Sequence, residues 1–360
     1  MEPLPAWAVP LSGGLIGCVI GYAARRGRLC VFGALEDAFL AANFRRLKVL
    51  ALALGIAILI TQTLIIQGAL APEAIRYLPT RLAFFSIALG GLMFGFGMAL
   101  VGTCAFGSLV RLGGGDLRSF VTILVYATAA LAALRGGLAS LRLSYLESQN
   151  IALPGNIQAD LAALVSWIAN TDLRTAVTIL CVALLAGWAL SRRDIFDTPR
   201  LLFAGLVMGT AVAGAWLMTG VLVDDMSLIV EPEGLTFVAP IADALQGISM
   251  ADHSLWNFGV CSVFGVISGA FLASKVHDEF RWEAYDDHRE MKRHIAGGIL
   301  MGLGGVLAGG CTIGQGLTAG SVLALSWFPA VCCMAIGARL GLYFLMSDIQ
   351  LRDILPIVHR

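Results

Sequence analysis

About nine segments of this chain are apolar over roughly the length that crosses a bilayer, and this pattern constrains the fold more than any other feature. A transmembrane helix needs about 20 mainly apolar residues. The segments that qualify are 7–24, 49–70, 83–103, 119–134, 173–190, 201–222, 256–274, 295–310 and 322–346. They predict an all-α polytopic membrane protein with about nine transmembrane helices.

The composition excludes several other classes of protein. Charged residues are only 13% of the 360 residues, and 58% are hydrophobic, whereas a soluble domain carries about twice that share of charge. Lys+Arg and Asp+Glu balance at 24 each, and no basic arm is present, so no nucleic-acid partner is expected. Neither a nucleotide-binding motif nor a zinc-type Cys and His spacing occurs, so we expect no cofactor and no metal.

The distribution of Lys and Arg predicts the orientation of the chain. Basic residues concentrate in loops 25–48, 192–200 and 275–293, and a nine-span arrangement puts all three loops on one side. Cytoplasmic loops carry the excess of basic residues. The N-terminus is therefore expected outside and the C-terminus in the cytoplasm.

Several apolar segments between the spans are too short to cross a bilayer. They are 29–41, 104–112, 236–250 and 312–320. Runs of about 10–14 apolar residues are typical of re-entrant helices. Irregular backbone at membrane depth is tolerated where it lines a cavity, so we expect these segments to point inward.

An internal repeat relates two parts of the chain. Shifted by 207 residues, 90–114 aligns with 297–321 at nine identical positions, and Cys104 falls on Cys311. An odd number of predicted spans separates the copies, so the repeat is inverted, an architecture found in many transporters. The alternative is glycine-rich helix packing without duplication.

The repeat divides a single membrane domain, 1–360, into parts. These are a first inverted repeat (1–135), a connecting segment with one span (136–200), a second inverted repeat (201–346) and a short cytoplasmic tail (347–360).

Three of the eight cysteines share a C-x-x-G context between apolar segments. The motifs pair Cys30 with Gly33, Cys104 with Gly107 and Cys311 with Gly314. A buried thiol is soft, polarizable and uncharged, so it does not repel an anion. A sulfur-bearing anion can then pass from thiol to thiol, held weakly enough to leave. The alternative is that these cysteines are only small buried hydrophobic residues.

Other polar residues near the motifs are weaker candidates. Thr312 and Gln315 flank Cys311 and are expected to donate hydrogen bonds to an oxyanion. Arg111 at the end of the second motif is either an anion attractor or part of a salt-bridged loop. Arg339 lies within an apolar run, where an ionisable residue is by default a functional hypothesis.

The cysteine motifs resemble the signatures of the YeeE/YedE sulfur-transport family. The matching stretches read GRLCVFGALED, VGTCAFGSLVRLGG and GGVLAGGCTIGQGLTAGS. The resemblance implies a bacterial inner-membrane protein for thiosulfate uptake, hourglass-shaped, with two pseudo-symmetric halves. It also implies that Cys30, Cys104 and Cys311 pass the ion along through S–H···S contacts, and that a cytoplasmic sulfur carrier of the TusA type receives it.

Two alternatives from other classes stay open at this point. One is a membrane thiol enzyme that carries sulfur as a persulfide, although no Lys or His lies within a few residues of Cys104 or Cys311 to activate a thiolate. The other is a pore for another small solute, including selenium-related cargo. The sequence favours a transporter over an enzyme.

Overall fold

Helices make up most of the chain that the structure describes. A computed structural model describes residues 7–146, 148, 150–191, 193–221, 232–250 and 256–347. The chain is 75% helical, with one two-stranded antiparallel sheet of β1 (Arg81–Leu82) and β2 (Ile151–Ala152). The predicted all-α polytopic membrane class is confirmed. The first six residues and all of the predicted tail except Ser347 lie outside the described residues.

The helices follow one another with short connections. In chain order they are α1 (Ala8–Gly27), α2 (Val31–Leu40), α3 (Arg45–Ile66), α4 (Phe84–Val101), α5 (Ala105–Gly113), α6 (Leu117–Leu134), α7 (Gly137–Leu141), α8 (Leu161–Ala169), α9 (Arg174–Leu190), α10 (Pro199–Gly220), α11 (Ala239–Met250), α12 (Phe258–Val276), α13 (His288–Leu307) and α14 (Trp327–Met346). Two π-helical turns, Arg142–Leu146 and Gly314–Ala319, interrupt this pattern.

Seven helical stretches of the described chain are long and apolar enough to cross a membrane. They contain α1 with α2, α3, α4 with α5, α6, α10, α12 and α14. Helix α9 has 17 residues and is shorter than a full span. Helix α13 begins with the charged sequence HREMKRH. Each predicted span therefore coincides with a helix, while the count of nine spans stays a prediction.

The predicted short segments form short helices. Three of them are α2, α5 and α11, and the fourth is the π-helical turn Gly314–Ala319 rather than an α-helix. Before each C-x-x-G motif the chain reverses through a left-handed residue two positions ahead of the cysteine. These residues are Arg28, Gly102 and Gly309, with φ of 50°, 75° and 72°. A left-handed residue commonly ends a helix, so each reversal places the cysteine at the start of the next helix.

Helix α1 packs against α12 through small residues. A Cβ added to Gly13, Gly17 or Gly21 would lie within 2.3 Å of a carbonyl oxygen of α12. Glycines spaced four apart bring helix backbones into direct contact in membranes. The two helices therefore have no room for side chains along this face.

Buried ion pairs attach the connecting segment to the rest of the bundle. Lys48 on α3 lies 3.0 Å from Asp194, and this hydrogen bond lowers the pKa of the Asp194 carboxyl. The carboxylate of Asp160 lies 2.6 Å from Arg174, which also donates to Gln62 on α3 at 3.2 Å. The connecting segment is thus anchored to α3 near both ends of α9.

The α1–α12 contact predicts an asymmetric response to alanine. Gly17→Ala should lower the stability of the protein, by roughly 1–3 kcal/mol, because the methyl group overpacks a closed backbone contact. Gly187→Ala on α9 is the matched control, since a Cβ there meets nothing within 4 Å. Thermal unfolding of the purified protein in detergent measures both; equal melting temperatures for the two variants would contradict the packing.

Candidate functional site

The three C-x-x-G cysteines each stand at the start of a short helical segment. Cys30 precedes α2 and Cys104 precedes α5, both with extended backbone. The Gly107 amide donates to the Cys104 sulfur at 3.4 Å, and the Gly314 amide donates to the Cys311 sulfur at 3.4 Å. Glycine three residues after cysteine therefore serves these two thiols as a backbone donor.

Gly107 brings the thiols of Cys30 and Cys104 together. A Cβ added to Gly107 would lie 3.4 Å from the Cys30 sulfur and 3.6 Å from the Cys104 sulfur. The Cys30 sulfur also lies 3.7 Å from the Thr103 hydroxyl. The position that a Gly107 side chain would take is thus bordered by two thiols and one hydroxyl, and the Thr103 hydroxyl is the nearest of the three.

Thr312 connects this pair to the third cysteine. Its side chain lies near the Cys104 thiol, and it follows Cys311 directly in the chain. The Thr312 hydroxyl is buried, and within the described part of the chain no hydrogen bond of good geometry satisfies it. Cys104 and Cys311 are themselves 0% exposed.

Two cavities approach the cysteines from different elements. The Cys30 cavity, of about 410 Å³, is lined by Cys30, Gly33, Thr103 and Gly107 among others. The Tyr77 cavity, of about 550 Å³, is lined by Tyr77, Thr236, Gly309, Gly310 and Gln315 among others. Cys104 and Cys311 are buried and line neither of these two cavities.

Hydroxyl groups surround the third motif at the Tyr77 cavity. A Cβ added to Gly314 would lie 2.6 Å from the Thr236 hydroxyl and 3.0 Å from the Tyr77 hydroxyl. Both groups can donate to an oxyanion that approaches Cys311. Gly314 therefore has no room for a side chain beside these two hydroxyls.

The Cys30 cavity is rich in guanidinium groups. Four arginines line it against the carboxylates of Glu36 and Glu279; they are Arg25, Arg28, Arg46 and Arg111. Arg25 and Arg28 each lie 3.9 Å from Glu279. Positive charge therefore exceeds negative charge in this cavity, which attracts anions.

The remaining sequence candidates divide between the site and its surroundings. Gln315 lines the Tyr77 cavity, but its amide nitrogen donates to the Ala308 carbonyl at 2.8 Å and its oxygen accepts from Ser326 at 3.4 Å. Arg111 lines the Cys30 cavity and donates to the Gly102 carbonyl at 2.9 Å. Arg339 is exposed and lies 5.7 Å from the ring of Phe39, outside both cavities.

Comparison with known proteins identifies the family of this chain. A family model described as Sulphur transport matches residues 26–340. The chain belongs to this sulphur-transport family. Membership confirms the resemblance seen in the cysteine motifs and makes the chain a transport protein rather than an enzyme.

Two characterised relatives align along almost their whole length. Thiosulfate transporter TsuA of Escherichia coli (strain K12) is 29% identical over 343 residues, which cover 91% of this chain and 92% of the relative. Thiosulfate transporter TsuA of Spirochaeta thermophila is 26% identical over 351 residues, which cover 89% and 94%.

Sequence reasoning missed several side chains that this family member places beside its cysteines. Thr103, Tyr77 and Thr236 contribute hydroxyls, and Arg46 contributes a guanidinium next to Gly33. Thr103 could have been identified from the sequence, because it directly precedes Cys104. Tyr77 and Thr236 lie in connections without periodic pattern, far in sequence from Cys311.

The unequal burial of the three thiols predicts their order of reaction. An anionic methanethiosulfonate reagent should modify Cys30 faster than Cys104 or Cys311, since Cys30 alone of the three is partly exposed and arginines line its cavity. Peptide mass spectrometry after timed exposure measures the three rates. A cationic reagent of equal size is the control and should react more slowly at Cys30; first labelling of Cys311 would contradict the arrangement.

Proposed function

We propose that this protein takes up thiosulfate, or a related small sulfur-containing anion, along the line of its three C-x-x-G cysteines. The path runs from the Tyr77 cavity past Cys311, Thr312 and Cys104 to Cys30 and its cavity. Sulfur transport itself rests on family membership, and the thiosulfate cargo on the names of the two relatives. The observation that carries the path is the space beside Gly107, which the Cys30 and Cys104 sulfurs both face.

The chemistry of this path suits a soft anion. Each neutral thiol donates a weak S–H hydrogen bond and offers a polarizable sulfur atom. Several weak sites in series let an ion enter and leave, whereas one strong site would trap it. Thr312, whose buried hydroxyl has no well-formed bond in the described chain, adds a donor between Cys311 and Cys104.

The helix pairing supports the proposed inverted halves. Helix α1 packs on α12 while α10 packs on α3, and α4 packs on α14 while α13 packs on α6. If α1, α3, α4 and α6 correspond to α10, α12, α13 and α14, then exchange of the halves turns the α1–α12 pair into α10–α3 and the α4–α14 pair into α13–α6. Val238 directly precedes α11, as Cys30 directly precedes α2. We therefore propose that the two halves have the same helix arrangement, but that the first half contributes two of the cysteines and the second half one.

The proposed sidedness follows the basic loops. The Cys30 cavity opens among Arg25, Arg28 and Arg46, which belong to a loop expected in the cytoplasm. We place the protein in a bacterial inner membrane, with its N-terminus outside and its C-terminus inside. A cytoplasmic sulfur carrier of the TusA type is the proposed acceptor of the cargo at this cavity.

Substitution of single cysteines tests the path. Replacement of a path cysteine by alanine should abolish growth of a thiosulfate-dependent bacterium, because it removes one of the three thiols along the proposed path. The variants are Cys30→Ala, Cys104→Ala and Cys311→Ala. Cys181→Ala and Cys332→Ala are the matched controls and should grow normally. Normal growth of the three site variants would instead indicate a pore in which the thiols are incidental. A stable sulfur adduct on one cysteine, found by mass spectrometry, would indicate a persulfide enzyme.

Filling the space beside Gly107 should block the path without removal of a thiol. A methyl group there would approach the Thr103 hydroxyl, the Cys30 sulfur and the Cys104 sulfur. We expect Gly107→Ala to lower thiosulfate uptake about tenfold or more, equivalent to about 1.4 kcal/mol. Gly316→Ala, whose added Cβ meets only Val331 at 4.0 Å, is the control in uptake assays with radiolabelled thiosulfate. Unchanged uptake by Gly107→Ala would show that cargo does not pass this point.

A further inference from the structure

The guanidinium of Arg46 lies across Gly33 at the end of the cysteine line. A Cβ added to Gly33 would be 2.7 Å from Nη1 of Arg46 and 3.6 Å from Cβ of Cys30. Arg46 and the Cys30 side chain therefore both border Gly33, and both line the same cavity.

Asp37 fixes the direction in which Arg46 points. Its carboxylate lies 3.4 Å from Nε of Arg46. Asp37 follows Gly33 by four residues on α2, so both lie on one face of that helix. The ion pair engages Nε, which leaves the Nη groups directed over Gly33. The two side chains are 33% and 32% exposed, so a solute in the cavity can reach them.

The other arginines of the cavity have different partners. Arg25 and Arg28 both lie near Glu279, and Arg111 donates to the carbonyl that ends α4. Arg46 is thus the arginine whose terminal nitrogens border both Cys30 and the glycine of its motif.

We propose that Arg46 is an anion-receiving residue, whose guanidinium binds a doubly charged sulfur oxyanion as it leaves the Cys30 thiol. The inference rests on the proposed function and adds a charged, cytoplasmic-side subsite to it. A guanidinium presents N–H donors in a fixed fork that matches two oxygens of an oxyanion. The neutral thiols cannot select by charge, whereas Arg46 favours a dianion over a monoanion.

The same geometry predicts a difference between the two sides of the path. Arg76, Arg81 and Arg142 line the Tyr77 cavity, but the atoms nearest Gly314 belong to Tyr77 and Thr236. Hydrogen bonds to a charged donor are roughly twice as strong as those between neutral groups. The protein should therefore hold a dianion more tightly beside Gly33 than beside Gly314.

Calorimetry and sided transport test this proposal together. Isothermal titration of the purified protein uses thiosulfate, a dianion, and thiocyanate, a sulfur-bearing monoanion. Arg46→Gln should weaken thiosulfate binding by about tenfold and thiocyanate binding by less than about threefold, as loss of a charge-assisted bond implies. In inverted membrane vesicles, which expose the cytoplasmic face, its half-saturating thiosulfate concentration should rise by about the same tenfold. In right-side-out vesicles this concentration should stay within about twofold of the wild-type value.

Two further variants keep the test decisive. Arg46→Lys retains the charge without the fork and should recover part of the affinity. Arg45→Gln is the neighbouring control, because Arg45 pairs with Asp197 and does not line the Cys30 cavity. Equal losses for both anions, a shift at the outer face, or no shift in Arg46→Gln would overturn the proposal. Wild-type vesicles that move no thiosulfate would refute the proposed function instead, while the calorimetry would still decide the role of Arg46.

Discussion

Direct contact between the backbones of α4 and α13 determines where the two buried cysteines lie. A Cβ added to Gly90 would stand 2.7 Å from the Gly304 carbonyl, and one added to Gly97 would stand 2.7 Å from the Gly297 carbonyl. Both helices then end at a left-handed glycine, followed two residues later by Cys104 or Cys311. Gly90 meets Gly304 and Gly97 meets Gly297, so the two helices run antiparallel, and the turns that follow them are held at opposite ends of the pair. The glycine richness and the repeat are therefore parts of one arrangement.

The sequence predicts the helices well because apolar length is a local property. Each predicted span coincides with a helix, and each short apolar segment coincides with a short helix or a π-helical turn. The C-x-x-G motifs could be read as chain breaks because glycine and cysteine interrupt long apolar runs. The left-handed conformation of Arg28 could not be predicted from the sequence, because arginine has no preference for positive φ.

The groups around the cysteines were harder to predict because tertiary contacts bring them there. Tyr77 reaches Gly314 from the connection between α3 and α4, and Thr236 from the residues just before α11, and both lie far from Cys311 in the sequence. Arg46 belongs to a basic cluster that the sequence explains by orientation alone. Only the packing of α3 against α2 places its guanidinium over Gly33. Gln315 shows the converse, since its position beside Cys311 suggested a ligand donor while its amide is bonded within the fold.

The C-x-x-G geometry gives a physical reason for cysteine at these positions. At Cys104 and Cys311 the sulfur accepts a hydrogen bond from an amide near the start of the following helix segment. Accepting a bond polarises a group and strengthens the bond that it donates. For Cys104 this amide belongs to the first turn of α5, the positive end of a helix dipole. The hydrogen bond therefore increases the partial positive charge on the thiol hydrogen. An anion beside the thiol is stabilised by the helix without contact with a full positive charge. A full charge would bind the anion too tightly in the buried middle of the proposed path, and the arginines near that path line its two cavities instead.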